Sequence, residues 1–154
     1  MQDAERISHQ RDMDKPKILL ADDHPEMLLV VAHQLDETVT IVGVVHDGIE
    51  LLRAAEVLKP DVILLDISMP HMNGLEAARR LLATMPELRI IFLTMHDRPF
   101  YVTEAFRLGA RGYVLKRSAH EIPIAIECVI KGGRFLSSTL RDVHPGLIPA
   151  APTE

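Results

Sequence analysis

The chain has 154 residues, 47% of them hydrophobic and 4% aromatic, with no Trp and a formal net charge of −5. That length suits one compact domain with a core of Leu, Ile, Val, Ala and Met, and the composition excludes a disordered chain. The negative charge argues against a nucleic-acid surface, the single Cys128 excludes a disulfide framework or a multi-cysteine metal site, and no apolar stretch is long enough to span a bilayer.

Residues 1–16 are polar and charged and read as a flexible leader. They lack the apolar middle of a signal peptide, so a cytoplasmic protein is expected. Five short apolar runs follow: Ile18 to Ala21, Val39 to Val45, Val62 to Leu65, Ile90 to Leu93 and Tyr113 to Leu115. Several are continuous rather than alternating, which suits strands buried on both faces of a parallel sheet.

Segments of helical spacing separate the runs. Met27, Val30, Val31 and Leu35 share one stripe, as do Leu51, Ala54, Ala55 and Leu58, then Leu75, Ala78, Leu82 and Met85, then Val102, Ala105, Phe106 and Leu108. Pro60 and Pro86 follow the second and third of these helices, and Gly109 and Gly132-Gly133 stand where C-terminal caps are expected. A fifth helix is expected from Ser118 to about Lys131, with Ser118 and Glu121 as a capping box. Pro123 conflicts with that start, so the helix begins later or bends there. Arg79-Arg80 reads as a solvated helix face, and Cys128 as a small buried hydrophobe. Residues 137–154 contain Pro145, Pro149 and Pro152 and read as a linker or tail. The expectation is one α/β domain over 17–136, a five-stranded parallel sheet with helices on both faces.

Polar residues gather at the carboxyl ends of these strands: Asp22 and Asp23 after the first, Asp66 after the third, Thr94 ending the fourth and Lys116 after the fifth. In open α/β sheets ligands bind along that edge. Alone, each residue has an ordinary reading, Asp22 or Asp23 as a cap for the helix near Pro25, Lys116 as a solvated lysine, Thr94 as a strand residue. Together they describe a site. Two carboxylates about 4 Å apart repel by roughly 4 kcal/mol at an effective dielectric near 20, so the cluster needs a cation or a proton. Mg²⁺ suits oxygen ligands and a phosphate, and Lys116 adds a fixed positive charge. Asp66 can then act as a nucleophile that holds a phosphoryl group, with Thr94 donating its hydroxyl to a phosphoryl oxygen.

Four stretches carry a family resemblance: Ile18 to Pro25 (ILLADDHP), Val62 to Gly74 (VILLDISMPHMNG), Leu93 to His96 (LTMH) and Gly109 to Lys116 (GARGYVLK). Over roughly residues 15–137 the sequence resembles response-regulator receiver domains, most closely those that precede a LuxR-type helix-turn-helix (NarL/FixJ-like). The resemblance implies a flavodoxin-like (βα)5 fold with strand order 2-1-3-4-5. It implies Asp66 as the phosphoacceptor; Asp23, Asp66 and the backbone carbonyl of Ser68 as Mg²⁺ ligands, with Asp22 helping through water; Thr94 as the switch hydroxyl; Lys116 as the phosphoryl partner; and Tyr113 as the aromatic that swings inward. It implies a sensor histidine kinase as donor, an output in transcription, and room for a homodimer. DNA would be reached only through a C-terminal domain that this sequence lacks.

Gly74 is expected to supply a backbone angle other residues resist. His24 and His96 lie near the site, as tuners of phosphoryl lifetime or as plain loop residues. Arg117, Arg98-Pro99 and Pro123 depart from the family pattern on the face formed by the fourth helix, fifth strand and fifth helix. Other readings are a stand-alone receiver or non-phosphorylated interaction module, an aspartate-nucleophile phosphohydrolase and a flavin-binding module. The phosphohydrolase class has an Asp two residues after its nucleophile, where this chain has Ser68. The flavin reading meets Asp22-Asp23-His24-Pro25 where a phosphate loop belongs.

Overall fold

In a computed structural model the chain is described over residues 15–147. Residues 1–14 of the expected leader and 148–154 of the expected tail lie outside that range. Strands and helices alternate: β1 (Lys17–Ala21), α1 (Glu26–Gln34), β2 (Thr40–Val45), α2 (Gly48–Leu58), β3 (Val62–Leu65), α3 (Gly74–Thr84), β4 (Arg89–Thr94), α4 (Pro99–Leu108), β5 (Gly112–Leu115), a 3-10 turn (Lys116–Glu121), α5 (Ile122–Ile130), β6 (Phe135–Leu136) and α6 (Ser138–Val143).

The sheet is parallel, with order β2-β1-β3-β4-β5-β6. Its first five strands stand in the order 2-1-3-4-5 that the resemblance implies. The continuous apolar runs are explained by two cores. Leu19, Ala21, Ile63, Leu65, Ile90 and Phe92 face α2, α3 and α4, while Ile18, Leu20, Val62, Leu64, Ile91 and Leu93 face α1 and α5. β1, β3, β4 and β5 therefore bury both sides, and alternation disappears from their sequences.

Local chemistry sets the helix ends. Asp47 accepts from Glu50 N (2.8 Å) to start α2, and Asn73 accepts from Glu76 N (2.9 Å) to start α3. Gly109 caps α4 at φ 108°, and Gly133 N donates to Cys128 O (2.9 Å) after α5.

Three local expectations need correction. The capping box at Ser118 does not form. Ser118 is non-helical (φ −114°, ψ 36°), and α5 starts at Ile122 with Pro123 in its first turn, where a missing N–H costs nothing. Neither Asp22 nor Asp23 caps α1; Pro25 holds the cap position, and Asp22 Oδ1 accepts from His24 N (2.9 Å) instead. Within the segment expected to be linker or tail, residues 138–143 form a helix, and β6 adds a sixth strand just before it. No helix among the described residues is long and apolar enough to cross a membrane.

Candidate functional site

Because all the strands run the same way, their carboxyl ends share one edge. Asp66 N donates to Ala21 O (2.9 Å), and Asp22 N donates to Val45 O (3.0 Å), so the sheet ladder itself places both carboxylates. Thr94 is paired with Leu115, the residue before Lys116. The sequence-predicted residues thus converge, and burial sorts them. Asp22, Asp66 and Thr94 are buried, Lys116 is nearly so, and Asp23 and His24 stand at the mouth.

Lys116 is the hub. Its Nζ donates to Asp66 Oδ2 (3.0 Å) and lies 2.8 Å from Asp22 Oδ2. The Asp22 contact is a charge contact without hydrogen-bond alignment, so Asp22 Oδ2 is buried with no hydrogen bond. Burial pushes the Asp66 carboxyl above its ordinary range; the Lys116 ammonium pulls it back, and the Asp22 charge adds to the rise. For Lys116 burial works against the charged form, but Asp22 and Asp66 outweigh it and hold the ammonium above its ordinary value. One ammonium stands among three carboxylates, so the site keeps negative charge.

His24 completes the cluster. Its Nδ1 is 3.0 Å from Asp22 Oδ1, 3.2 Å from Asp23 Oδ1 and 4.0 Å from Asp66 Oδ2. One ligand atom from each of Asp22, Asp23, His24 and Asp66 lies within 4.8 Å of all the others, so the group could hold a metal ion. The sequence placed His24 nearby but gave no sign that its ring turns onto all three carboxylates.

Opposite, Ser68 Oγ and His96 Nε2 meet at 2.7 Å and join the loops after β3 and β4. Thr94 Oγ1 accepts from His96 N (3.3 Å), and the His96 ring stacks on Tyr101 at 4.3 Å. Tyr113 is fully buried and its hydroxyl donates to His96 O (2.7 Å). Burial drives the Tyr113 phenol far above its ordinary pKa. His96 therefore links Ser68, Thr94, Tyr113 and Tyr101. Sequence spacing gives no hint of this, because these contacts cross between loops.

Gly74 matters for a reason other than the expected one. Its φ is not positive; among the described residues the left-handed positions in this loop region belong to His71 (φ 68°). A Cβ at Gly74 would stand 2.0 Å from Asp66 O. The start of α3 is pressed onto the backbone of Asp66, with Gly74 N donating to Ile67 O (2.7 Å).

A family model for the response regulator receiver domain matches residues 18–127, which span the whole of this strand-end cluster. The chain belongs to that family. The receiver is 40% identical over 124 residues to the transcriptional regulatory protein YxjL of Bacillus subtilis (strain 168), a match covering 77% of this chain and 56% of that protein. It thus spans about half the length of that relative. Among solved structures it is similar to a LuxR-family two-component response regulator from Aurantimonas (TM-score 0.78, 29% identity, 84% of this chain and 94% of that one). It is also similar to the signal receiver domain of the putative response regulator NarL from Mycobacterium tuberculosis (TM-score 0.72, 34% identity, 77% and 98%). A receiver is a signalling domain of a two-component phosphorelay and not a classical enzyme, so family membership sets aside the flavin-binding and phosphohydrolase readings.

Proposed function

We propose that this receiver takes a phosphoryl group on Asp66 and converts its arrival into movement around His96 and Tyr113. The observation that carries the reading is the buried Lys116–Asp66 contact beside Asp22. A carboxylate whose charge is already opposed by burial, beside a fixed ammonium, is placed for nucleophilic attack with the incoming charge neutralised.

Mg²⁺ fits the residues present. The donor set is rich in carboxylate oxygen, carries excess negative charge, and includes a buried Asp22 oxygen without a hydrogen bond. Asp23, Asp66 and the backbone carbonyl of Ser68 would hold the ion, with Asp22 assisting. When bound it would neutralise charge between the carboxylates and the phosphoryl oxygens.

The chain's own residues do the rest. Asp66 attacks phosphorus, the bond from phosphorus to the donor breaks (P–N for a phosphohistidine, P–O for acetyl phosphate), and the donor leaves with that electron pair. Lys116 turns its ammonium from Asp22 and Asp66 toward the new phosphoryl oxygens. Thr94 turns its hydroxyl toward one of them and donates to it, which draws Oγ1 away from His96 N. That shift loosens the loop to which the Tyr113 hydroxyl is tied.

The donor in this reading is a sensor histidine kinase, which places the chain in the cytoplasm. The output is transcription, reached through a DNA-binding domain outside these residues and through a homodimer. Intact-mass measurement after incubation with acetyl phosphate, with and without Mg²⁺, tests the site. A Mg²⁺-dependent phosphoryl adduct on the wild type and none on Asp66→Asn is the expected result. An adduct of equal extent on Asp66→Asn overturns the assignment.

A further inference from the structure

The segment after α5 is fastened to the backbone on both sides of Lys116. Phe135 N donates to Arg111 O and Ser137 N to Tyr113 O, each at 2.9 Å, continuing the β5 ladder. Leu115 N, immediately before Lys116, donates to the fully buried Ser137 Oγ at 2.9 Å. On the other side, the 3-10 turn that begins at Lys116 ends at Glu121, a buried carboxylate that accepts from Ser138 N at 3.0 Å. That bond supplies one of the unpaired donors at the start of α6.

Packing reinforces the fastening. Leu136 is paired with Tyr113 across the ladder, and Leu136 and Leu140 are buried in the same core as the Tyr113 ring. The Arg141 guanidinium lies over the Phe135 ring at 5.7 Å. On its outer side α6 exposes Val143. Nothing in the described site needs these contacts, yet they converge on the strand and turn that aim Lys116.

We propose that β6 and α6 form a strap whose docking is coupled to the Asp66 site: a phosphoryl group held by Lys116 tightens the strap, and a docked strap strengthens the hold on the phosphoryl group. The inference rests on Asp66 being the phosphoacceptor. The direction follows from the anchors. In the unmodified protein Lys116 divides its charge between two carboxylates. A phosphoryl group gives it one stronger partner, which fixes the end of β5 and the turn to Glu121, and the strap hangs from both. Coupling between two binding events is reciprocal, so the same factor acts in each direction.

The test uses the full chain, with beryllofluoride plus Mg²⁺ as the phosphoryl probe. Amide hydrogen exchange over residues 135–147 is measured with and without the probe, and probe affinity is measured in the wild type, Leu140→Ala and Leu140→Met. The expected result is a slowing of at least threefold across the strap in the wild type and none in Asp66→Asn. Leu140→Ala, which loosens the strap without touching the site, weakens probe affinity by up to the factor by which the probe slows strap exchange in the wild type. Leu140→Met, close in volume, restores both. If the probe binds and protects residues around Thr94 while exchange over 135–147 stays unchanged, the strap is not coupled and the inference fails alone. If the wild type binds no probe and takes no phosphoryl adduct, the reading of Asp66 as phosphoacceptor fails and the strap inference falls with it.

Discussion

Lys116 Nζ lies 3.0 Å from Asp66 Oδ2 in a pocket where Asp66 is 3% exposed, and the same ammonium neutralises Asp22. Removing one partner of a buried charge contact leaves the others without compensation, at a cost of about 3 kcal/mol. Lys116→Met keeps the apolar stem and deletes the charge. It is expected to lower stability at pH 7 by about that amount, read from urea unfolding, with the deficit shrinking as pH falls through the raised folded value of Asp66. It also abolishes uptake from acetyl phosphate. A variant as stable as the wild type at pH 7 would show that the contact carries no net charge compensation.

Asp66 contributes a pH dependence of the opposite sense to an exposed, salt-bridged carboxylate. Burial raises its folded-state pKa above the ordinary 3.8. The folded state then holds its proton more tightly than the unfolded chain does. The stabilising contribution is complete below 3.8 and is lost as pH rises through the raised folded value. Asp66→Asn removes this loss. The variant is therefore expected to gain on the wild type as pH climbs from 3.8 through the raised folded value, measured by thermal or urea unfolding across the range. Glu76 behaves the other way. Arg79 and Arg80 hold it down to about 2, so its contribution is present above the unfolded value and disappears only as pH falls through about 2. A flat difference between wild type and Asp66→Asn from pH 4 to 7 would mean that the Asp66 carboxyl is not perturbed.

The division between what the sequence discloses and what it conceals follows interaction range. β3 coincides with its apolar run, and the remaining four runs match β1, β2, β4 and β5 to within a residue or so at each end; burial on both faces leaves the unbroken apolar signature of β1, β3, β4 and β5, while β2 is a half-buried edge strand. Once those strands are parallel, Asp22, Asp23, Asp66, Thr94 and Lys116 must share an edge, so the site's membership was legible too. Its orientation was not. That His24 turns onto all three carboxylates depends on side-chain rotation that no spacing records. β6 has two residues, too few to show a period. Glu121 matched a local capping pattern with Ser118, but its carboxylate serves Ser138 from 17 positions away. At Gly74 the sequence points to backbone freedom, a local property, whereas the crowding by Asp66 O that requires glycine there is a tertiary fact.

That crowding has a measurable consequence. Gly74→Ala places a methyl group where the ideal Cβ stands 2.0 Å from a backbone oxygen, and backbone cannot move aside as a flexible side chain can. Either α3 withdraws or Asp66 shifts. The expected cost is about 2–3 kcal/mol of stability, in the upper part of the range for overpacking. Phosphoryl uptake should drop more than in an exposed control such as Leu29→Ala. Unchanged uptake and unfolding would show that the start of α3 has slack against the Asp66 backbone.

Tyr113→Phe isolates the hydroxyl that ties the buried ring to the loop after β4. The phenol donates to His96 O at 2.7 Å, and the ring is fully buried between Phe92 and the end of the sheet. Phe fills the same space apart from one oxygen, so the core is preserved while the His96 carbonyl loses its donor. A hydrogen bond of this kind contributes about 1 kcal/mol, and the expected stability loss is of that size. The functional consequence is distinct. The His96 loop, still joined to Thr94 and Ser68, is no longer anchored to β5, so hydrogen exchange at residues 95–98 should accelerate in the unmodified variant. Phosphoryl uptake at Asp66 should continue, because Tyr113 touches neither Asp66 nor Lys116 in the hydrogen-bond pattern of the site. A variant that takes the phosphoryl group but shows no further change at 95–98 on doing so would identify the Tyr113–His96 bond as the connection between chemistry and movement. Equal changes in the variant and the wild type would assign that connection to Thr94 alone.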